Sequence, residues 1–180
     1  ALDQALVQSV SFSTTAGFAT TDFSHWPAFL PIMLIFSSFI GGCAGSTGGG
    51  LKVVRVLLLY LQGKREVDRL IHPKAVYTVK LGDRAVPDKV VEAVWGFFSA
   101  YAMIFVVIMV CLIATGMDDV SAFTATAATL NNLGPGLGTV SGSFADVSDV
   151  GKWLLILAML FGRLEVFSLL VLFSPTFWRS

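Results

Sequence analysis

The sequence predicts an all-α integral membrane protein built from repeated span–re-entrant loop–span units, with one transmembrane helix broken in its middle. Three observations carry that reading. Of 180 residues, 55% are hydrophobic and 13% charged, with a mean hydropathy of +0.78, whereas a soluble domain carries about 25% charged residues. The apolar residues fall in long runs. Two short apolar stretches, each followed by a glycine-containing loop and then a long apolar segment, occur in the same order twice.

Taken along the chain, Ala5–Phe12 ("ALVQSVSF") is too short to span and leads into "STTAGFATTDFS". The next apolar segment, Pro27–Leu61, is interrupted by "IGGCAGSTGGGLKVVR", Ile40–Arg55, which holds six glycines. As helices, Pro27–Ile40 reaches about 21 Å and Leu51–Leu61 about 16 Å. Neither crosses a core of about 30 Å alone. Gln62–Lys89 mixes charges of both signs, with "VKLGDRAV" patterned as a turn between two short strands. Val91–Thr115 is long enough to span. Ala122–Leu130 ("AFTATAATL") is again short and leads into "NNLGPGLGTVSGSF". Lys152–Phe173 spans, with Arg163 and Glu165 at mid-depth. The organisation is therefore 1–62, a short helix, a loop and a broken span; 63–89, a connection; and 90–180, a complete span–loop–span unit.

Charge orients these parts. Nine of the twelve Lys and Arg lie between Lys52 and Lys89, while 1–30 and 116–151 hold none and carry Asp3, Asp22, Asp118, Asp119, Asp146 and Asp149. The positive-inside rule puts 63–89 in the cytoplasm, near anionic lipid, and the loops on the outer face. Cys43 and Cys111 have no CxxC partner, and His25 and His72 are isolated. No disulfide framework, zinc site or catalytic constellation is indicated, so the chain is not read as an enzyme, and nothing marks nucleic acid as a partner.

Two loops carry the chemistry. "TTAGF", Thr14–Phe18, lies over "NNLGP", Asn131–Pro135, so that Gly17 matches Gly134. The following segments place Gly41 and Gly162 at offsets of 24 and 28 residues from those glycines. A short helix, a loop with a central glycine and a long helix make the plan of a potassium-channel pore, where backbone carbonyls replace the hydration shell of the ion. Glycine admits the backbone angles this needs, and Thr14 and Thr15 can add hydroxyl oxygens. The plainer reading of each pentapeptide is a polar turn. The glycine run, as a break in a helix at mid-membrane with small and hydroxyl-bearing residues, must line a polar cavity, with Ser46 and Thr47 to satisfy freed backbone groups. A phosphate-binding loop fails its pattern, because Leu51 precedes Lys52 and Val53 follows it. Close helix packing accounts for one or two glycines. Arg163 at mid-span is costly and is expected to face the protein interior. For Glu165 a structural ion pair or hydrogen bond is expected.

"STTAGFATTDFS", "GGCAGSTGGGLKVVR", "NNLGPGLG" and "FGRLEVF" together resemble the carboxy-terminal half of TrkH potassium transporters, in the Trk/Ktr/HKT superfamily. The resemblance covers essentially the whole chain. It implies four span–loop–span repeats around one ion path, of which this chain supplies part of the third and all of the fourth, with two more units upstream of Ala1. It implies that Thr15, Ala16, Gly17 and Phe18 line one quadrant of a potassium filter and Asn132, Leu133, Gly134 and Pro135 another. Potassium would be held chiefly at Thr15, Ala16, Asn132 and Leu133. It implies a gate formed by Gly42, Gly45, Ser46, Thr47, Gly48, Gly49 and Gly50 with Arg163. The loops depart from TVGYG by lacking the aromatic–glycine pair after the key glycine, which implies weaker discrimination against sodium. Further implications are a bacterial inner-membrane location with the loops facing the periplasm, a homodimer, and cytosolic nucleotide-binding regulatory subunits of TrkA type. Potassium would be the substrate, no cofactor would be bound by this chain, and ATP or NAD would act only on the partner. A Ktr-type sodium-dependent subunit fits the same residues. A secondary transporter with broken helices would be expected to place acidic coupling residues near the breaks, and neither loop contains one. A non-transporting scaffold would have no use for two such loops.

Overall fold

The computed structural model describes residues 2–27, 29–43, 45–46, 48–73, 75 and 77–164. Six helices organise them: α1 (Leu2–Ser13), α2 (Phe29–Phe39), α3 (Val53–Ile71), α4 (Asp88–Ala114), α5 (Asp119–Leu130) and α6 (Asp149–Arg163). Two two-stranded pairs complete the regular structure. β1 (Ile40–Gly41) runs parallel to β2 (Leu51–Lys52), and β3 (Lys80–Leu81) runs antiparallel to β4 (Arg84–Ala85).

α4 is the one described helix long and apolar enough to cross a membrane. Its 27 residues reach about 40 Å. Val94, Phe97, Tyr101, Ile108 and Leu112 are buried along one side, whereas Met103, Val106, Val107 and Val110 are exposed along another. An exposed apolar stripe of this length suits lipid or further protein and not water.

α5 lies behind α4 and is sheathed by it, α2 and α6. Nine of its twelve residues are buried. Ala122, Ala125, Ala127 and Ala128 let neighbours approach closely. Its threonines satisfy themselves: Thr126 and Thr129 each donate to the carbonyl four residues back, at 2.8 and 2.7 Å. Such back-bonding lets a hydroxyl be buried without an outside partner. This short helix is thus covered by protein on most sides.

The core falls into connected clusters. Leu112, Ala122, Ala125, Leu155 and Ala158 join α4, α5 and α6. Phe12, Phe23, Leu34, Ile35, Ala127 and Leu133 join α1, α2 and the start of the second loop. Leu51, Phe97, Tyr101, Leu130 and Phe161 lie where the glycine segment meets the end of α5.

The structure refines three of these expectations. The charged segment after Leu61 is not a loop at its start, because α3 runs on to Ile71. Leu58, Gln62 and Arg65 recur at helical spacing, and the first two are buried. Arg65 donates to Asp88 at 2.6 Å, pinning α3 to the first turn of α4. Of the span expected from Lys152 to Phe173, the part within the described residues belongs to α6 (Asp149–Arg163). It ends at Arg163, capped by the Leu164 N–H on the Leu160 carbonyl, so Arg163 stands at a helix C-terminus, where a cation suits the helix dipole. Residues 165–180, with Glu165, lie outside the described residues. Finally, the glycine segment is a closed excursion of the chain. Its ends are tied in register, Ile40 to Leu51 and Gly41 to Lys52. The hairpin expected in "VKLGDRAV" is present, closed by the Val86 N–H on the Val79 carbonyl at 2.9 Å.

Asp118 caps α5, its carboxylate accepting from the Ser121 N–H at 3.0 Å. Hydrogen bonding from Ser121, side chain first and backbone next, holds the carboxyl below its ordinary value. A carboxyl depressed by folding stabilises above its unfolded pKa, and that contribution is lost as pH falls through the folded value. Asp118→Ala is therefore expected to lower the thermal midpoint of the full-length protein at neutral pH. Its deficit against the unaltered protein should shrink as pH drops below about 3.9.

Candidate functional site

The two loops singled out in the sequence share one backbone geometry. α1 and α5 each end in the same motif, 117 residues apart. Thr15 N–H donates to the Phe12 carbonyl at 3.2 Å and Ala16 N–H to the Ser11 carbonyl at 2.9 Å; the counterparts are Asn132 to Thr129 at 3.0 Å and Leu133 to Ala128 at 2.7 Å. This pair of bonds is a Schellman closure, which requires a left-handed residue just past the helix. Thr15 and Asn132 fill that place with φ of 56° and 52°. Two residues on, Gly17 and Gly134 are again left-handed, with φ of 78° and 108°. Asparagine tolerates that region. For a β-branched threonine it is an outlier held by its surroundings.

The loops lie against each other and against the glycine segment. A methyl group at Gly17 would collide with the Leu133 carbonyl, and one at Gly49 with the Asn131 carbonyl. Gly49 donates its N–H to the Thr15 hydroxyl at 3.1 Å. Thr15 in turn donates to the Thr14 carbonyl at 2.7 Å, and Thr14 donates back to Val10 at 2.7 Å. Both hydroxyls expected as extra oxygens are thus engaged with the chain itself. Leu133 points its side chain into the core, while Phe18 is exposed. Pro135 lies beside Gly17, and open space faces Gly134. Asn132 donates to the Met159 carbonyl at 3.3 Å, tying the second loop to α6.

Asn131, given no role by the sequence reading, organises the junction. It is fully buried. The Tyr101 hydroxyl donates to its Oδ1 at 2.5 Å, and its Nδ2 donates to Ser38 Oγ at 2.9 Å. Ser38 passes its own proton to the Ile35 carbonyl at 2.6 Å. The chain Tyr101–Asn131–Ser38 therefore joins α4, the end of α5 and the end of α2, where the glycine segment begins. The sequence signal was a tyrosine and a serine in otherwise apolar helices.

Among the expected gate residues, Gly42 packs beneath the Ser46 side chain, Gly48 lies beside Thr15 and Gly50 packs on the Ser38 carbonyl. Gly45 is at the exposed tip with φ of 82°. Thr47 lies outside the described residues. Ser46 does not cap freed backbone groups. Its own carbonyl is capped instead by Lys52, whose Nζ lies 2.6 Å from it and 2.6 Å from the Gly48 carbonyl. Lys52 is the second residue the sequence reading missed, having counted it only with the cytoplasmic charges. A cavity of about 210 Å³ opens beside this loop, and Lys52, Arg55 and Arg163 all line it with Ser46, Gly48 and Tyr101. Arg55 sits over the Phe97 ring at 4.1 Å. The structure thus brings Arg163 to the cavity beside the glycine segment. Among the described residues, no cluster of His, Cys, Asp and Glu could hold a metal ion.

A family model described as TrkH, cation transport protein, matches residues 1–180. The chain is 70% identical over its whole length to the Trk system potassium uptake protein TrkH of Vibrio parahaemolyticus. It is 64% identical over 179 residues to the protein of that name from Escherichia coli K12. It spans about 37% of the length of each. A crystal structure of the potassium transporter TrkH from V. parahaemolyticus matches with a TM-score of 0.91, covering 98% of this chain and 38% of that one.

Gly49→Ala in the full-length protein is expected to cost at least about 1–3 kcal/mol, the usual penalty of overpacking against fixed backbone. Gly63→Ala serves as the control, because Gly63 is mid-helix and faces open space; it should stabilise by about 0.5–1 kcal/mol. Thermal unfolding of the purified protein in detergent measures both.

Proposed function

The chain belongs to the TrkH family of cation transport proteins, and from that premise we propose that it forms the carboxy-terminal part of a potassium uptake pathway through the bacterial inner membrane. In this reading, Thr15–Phe18 and Asn132–Pro135 supply backbone carbonyls to a selectivity filter on the periplasmic side. Gly42–Gly50 forms a gate below it, and Arg163 adds a fixed positive charge in the ion path. The observation that carries the reading is the repeated left-handed pair, Thr15 with Gly17 and Asn132 with Gly134. Two loops of different sequence hold the same costly backbone at the same distance past the end of a helix. A polar turn would not need that geometry twice.

The mechanism follows from the parts. A potassium ion gives up water for carbonyl oxygens, which hold it by their dipoles without a formal negative charge. The glycine loop, docked under both filter loops, obstructs the route to the cavity. Conduction requires that the loop leave Asn131 and Thr15. The fixed charge at Arg163 opposes a cation on the cytoplasmic side of the loop. Residues 63–89, with the α3 extension and the β3–β4 hairpin, present a charged surface toward the cytoplasm for regulatory subunits of TrkA type, which would bring ATP or NAD. A homodimer in membrane lipid is part of the same proposal. The printed names of the relatives, potassium uptake proteins of a Trk system, support potassium as the substrate.

Reconstitution of the full-length protein tests the filter and the gate separately. Gly134→Ala adds a methyl group into open space, so it acts only through the φ of 108° that alanine resists. The expected outcome is a lower ratio of potassium to sodium permeation. An unchanged ratio with undiminished potassium uptake removes the second loop from the filter. Arg163→Ala is expected to raise potassium flux. Unchanged flux through a folded protein removes Arg163 from the gate.

A further inference from the structure

Lys52 occupies an unfavourable place for a cation. It is the residue before α3 and makes no side-chain cap there, and the helix dipole at that end repels positive charge. Its ammonium turns back across the glycine loop, where the Ser46 and Gly48 carbonyls lie at 2.6 Å each, with Ser46 Oγ at 3.5 Å. These oxygens offset the dipole. The same peptide group that offers the Gly48 carbonyl to Lys52 offers the Gly49 N–H to Thr15 at 3.1 Å. One peptide therefore links Lys52 to the first filter loop.

We propose that the Ser46 and Gly48 carbonyls form a monovalent-cation site in the gate loop, and that the Lys52 ammonium fills it as a tethered stand-in for the permeating ion. The inference rests on the ion-path reading above and adds a site to it. An ammonium group and a potassium ion are similar in size and are held by the same kind of carbonyl oxygen. At the two carbonyls themselves one positive charge replaces another, while the withdrawn ammonium keeps its charge and moves away from the cavity that Arg55 and Arg163 line. The cavity of about 210 Å³ beside the loop has room for the ion and for waters to complete its shell. While Lys52 stays, the loop is held closed by two charge-assisted bonds; when it withdraws, the freed carbonyls receive an ion on its way from the filter. Because the Gly48–Gly49 peptide also binds Thr15, filling of this site and the geometry of the first filter loop are coupled, and the coupling is reciprocal.

The experiment uses the full-length protein with Lys52→Met, which keeps the length of the stem and removes both charge and donors. Crystals of the unaltered protein and the variant are grown in rubidium chloride, and anomalous density is sought at the two carbonyls. Rubidium influx into liposomes is measured without regulatory subunits. The expected result is rubidium density at Ser46 and Gly48 in the variant and none there in the unaltered protein, with influx raised roughly tenfold, the worth of about one charge-assisted hydrogen bond. Absence of that density in the variant overturns the site, and density without increased influx overturns the latch. Lys52→Gln, which keeps a donor without the charge, takes the same two measurements if the methionine variant does not fold. Lack of rubidium influx through the unaltered protein would instead count against the transport reading, while the density at the carbonyls tests the site independently.

Discussion

The contact on which the rest of the structure depends is between two stretches of backbone. The Asn131 carbonyl, at the end of α5, lies so close to Gly49 that no side chain fits between them. Irregular backbone needs its polar groups satisfied, and the glycine segment meets protein on one side and a cavity on the other. On one side, Asn131, Thr15 and Ser38 take up the loop. On the other, Lys52 binds its carbonyls beside a cavity. The parallel pairing of Ile40–Gly41 with Leu51–Lys52 then holds the loop as a closed excursion from a helical segment, with α2 and α3 leading in and out.

From that contact the two candidate loops become one assembly. Gly17 rests on the Leu133 carbonyl and Gly49 on the Asn131 carbonyl, so three segments remote in sequence meet through glycines. Tyr101, Asn131 and Ser38 fasten the same point from within. Their buried hydrogen bonds matter more for uniqueness than for net stability, since any one of them left unpaired would be costly. If the glycine segment is the proposed gate, it cannot move without disturbing residues beside the proposed filter, and selectivity and gating would share one set of atoms.

Much of the fold was legible because the helices follow the apolar runs of the sequence. α4 and α5 lie within a few residues of where the apolar runs put them. The register of "TTAGF" on "NNLGP" is the register in which the left-handed angles repeat. The misses have physical reasons. The continuation of α3 is a charged, amphipathic helix whose buried side, Leu58 and Gln62, is too sparse to stand out beside Lys and Glu. The end of α6 at Arg163 leaves no mark in an apolar run that continues past it. Asn131 and Ser38 are 93 residues apart, and no local pattern announces a hydrogen bond over that distance. Lys52 was visible as a charge, but its direction was not: the ammonium turns back to the loop it follows, where the sequence suggested that it faced the cytoplasm.

The central claim is that the glycine loop is a docked gate that leaves its seat when ions pass. It is tested most directly by the accessibility of a cysteine at Ser46, introduced as Ser46→Cys into the full-length protein after the exposed native Cys43 is replaced by serine. The rate of modification by a charged thiol reagent from the cytoplasmic side is measured in closed and conducting states. The account predicts a clear difference between the two, with the slower rate in the closed state, where the Ser46 carbonyl is bound by Lys52. Equal rates in both states would contradict it and leave the loop as a fixed wall of the path.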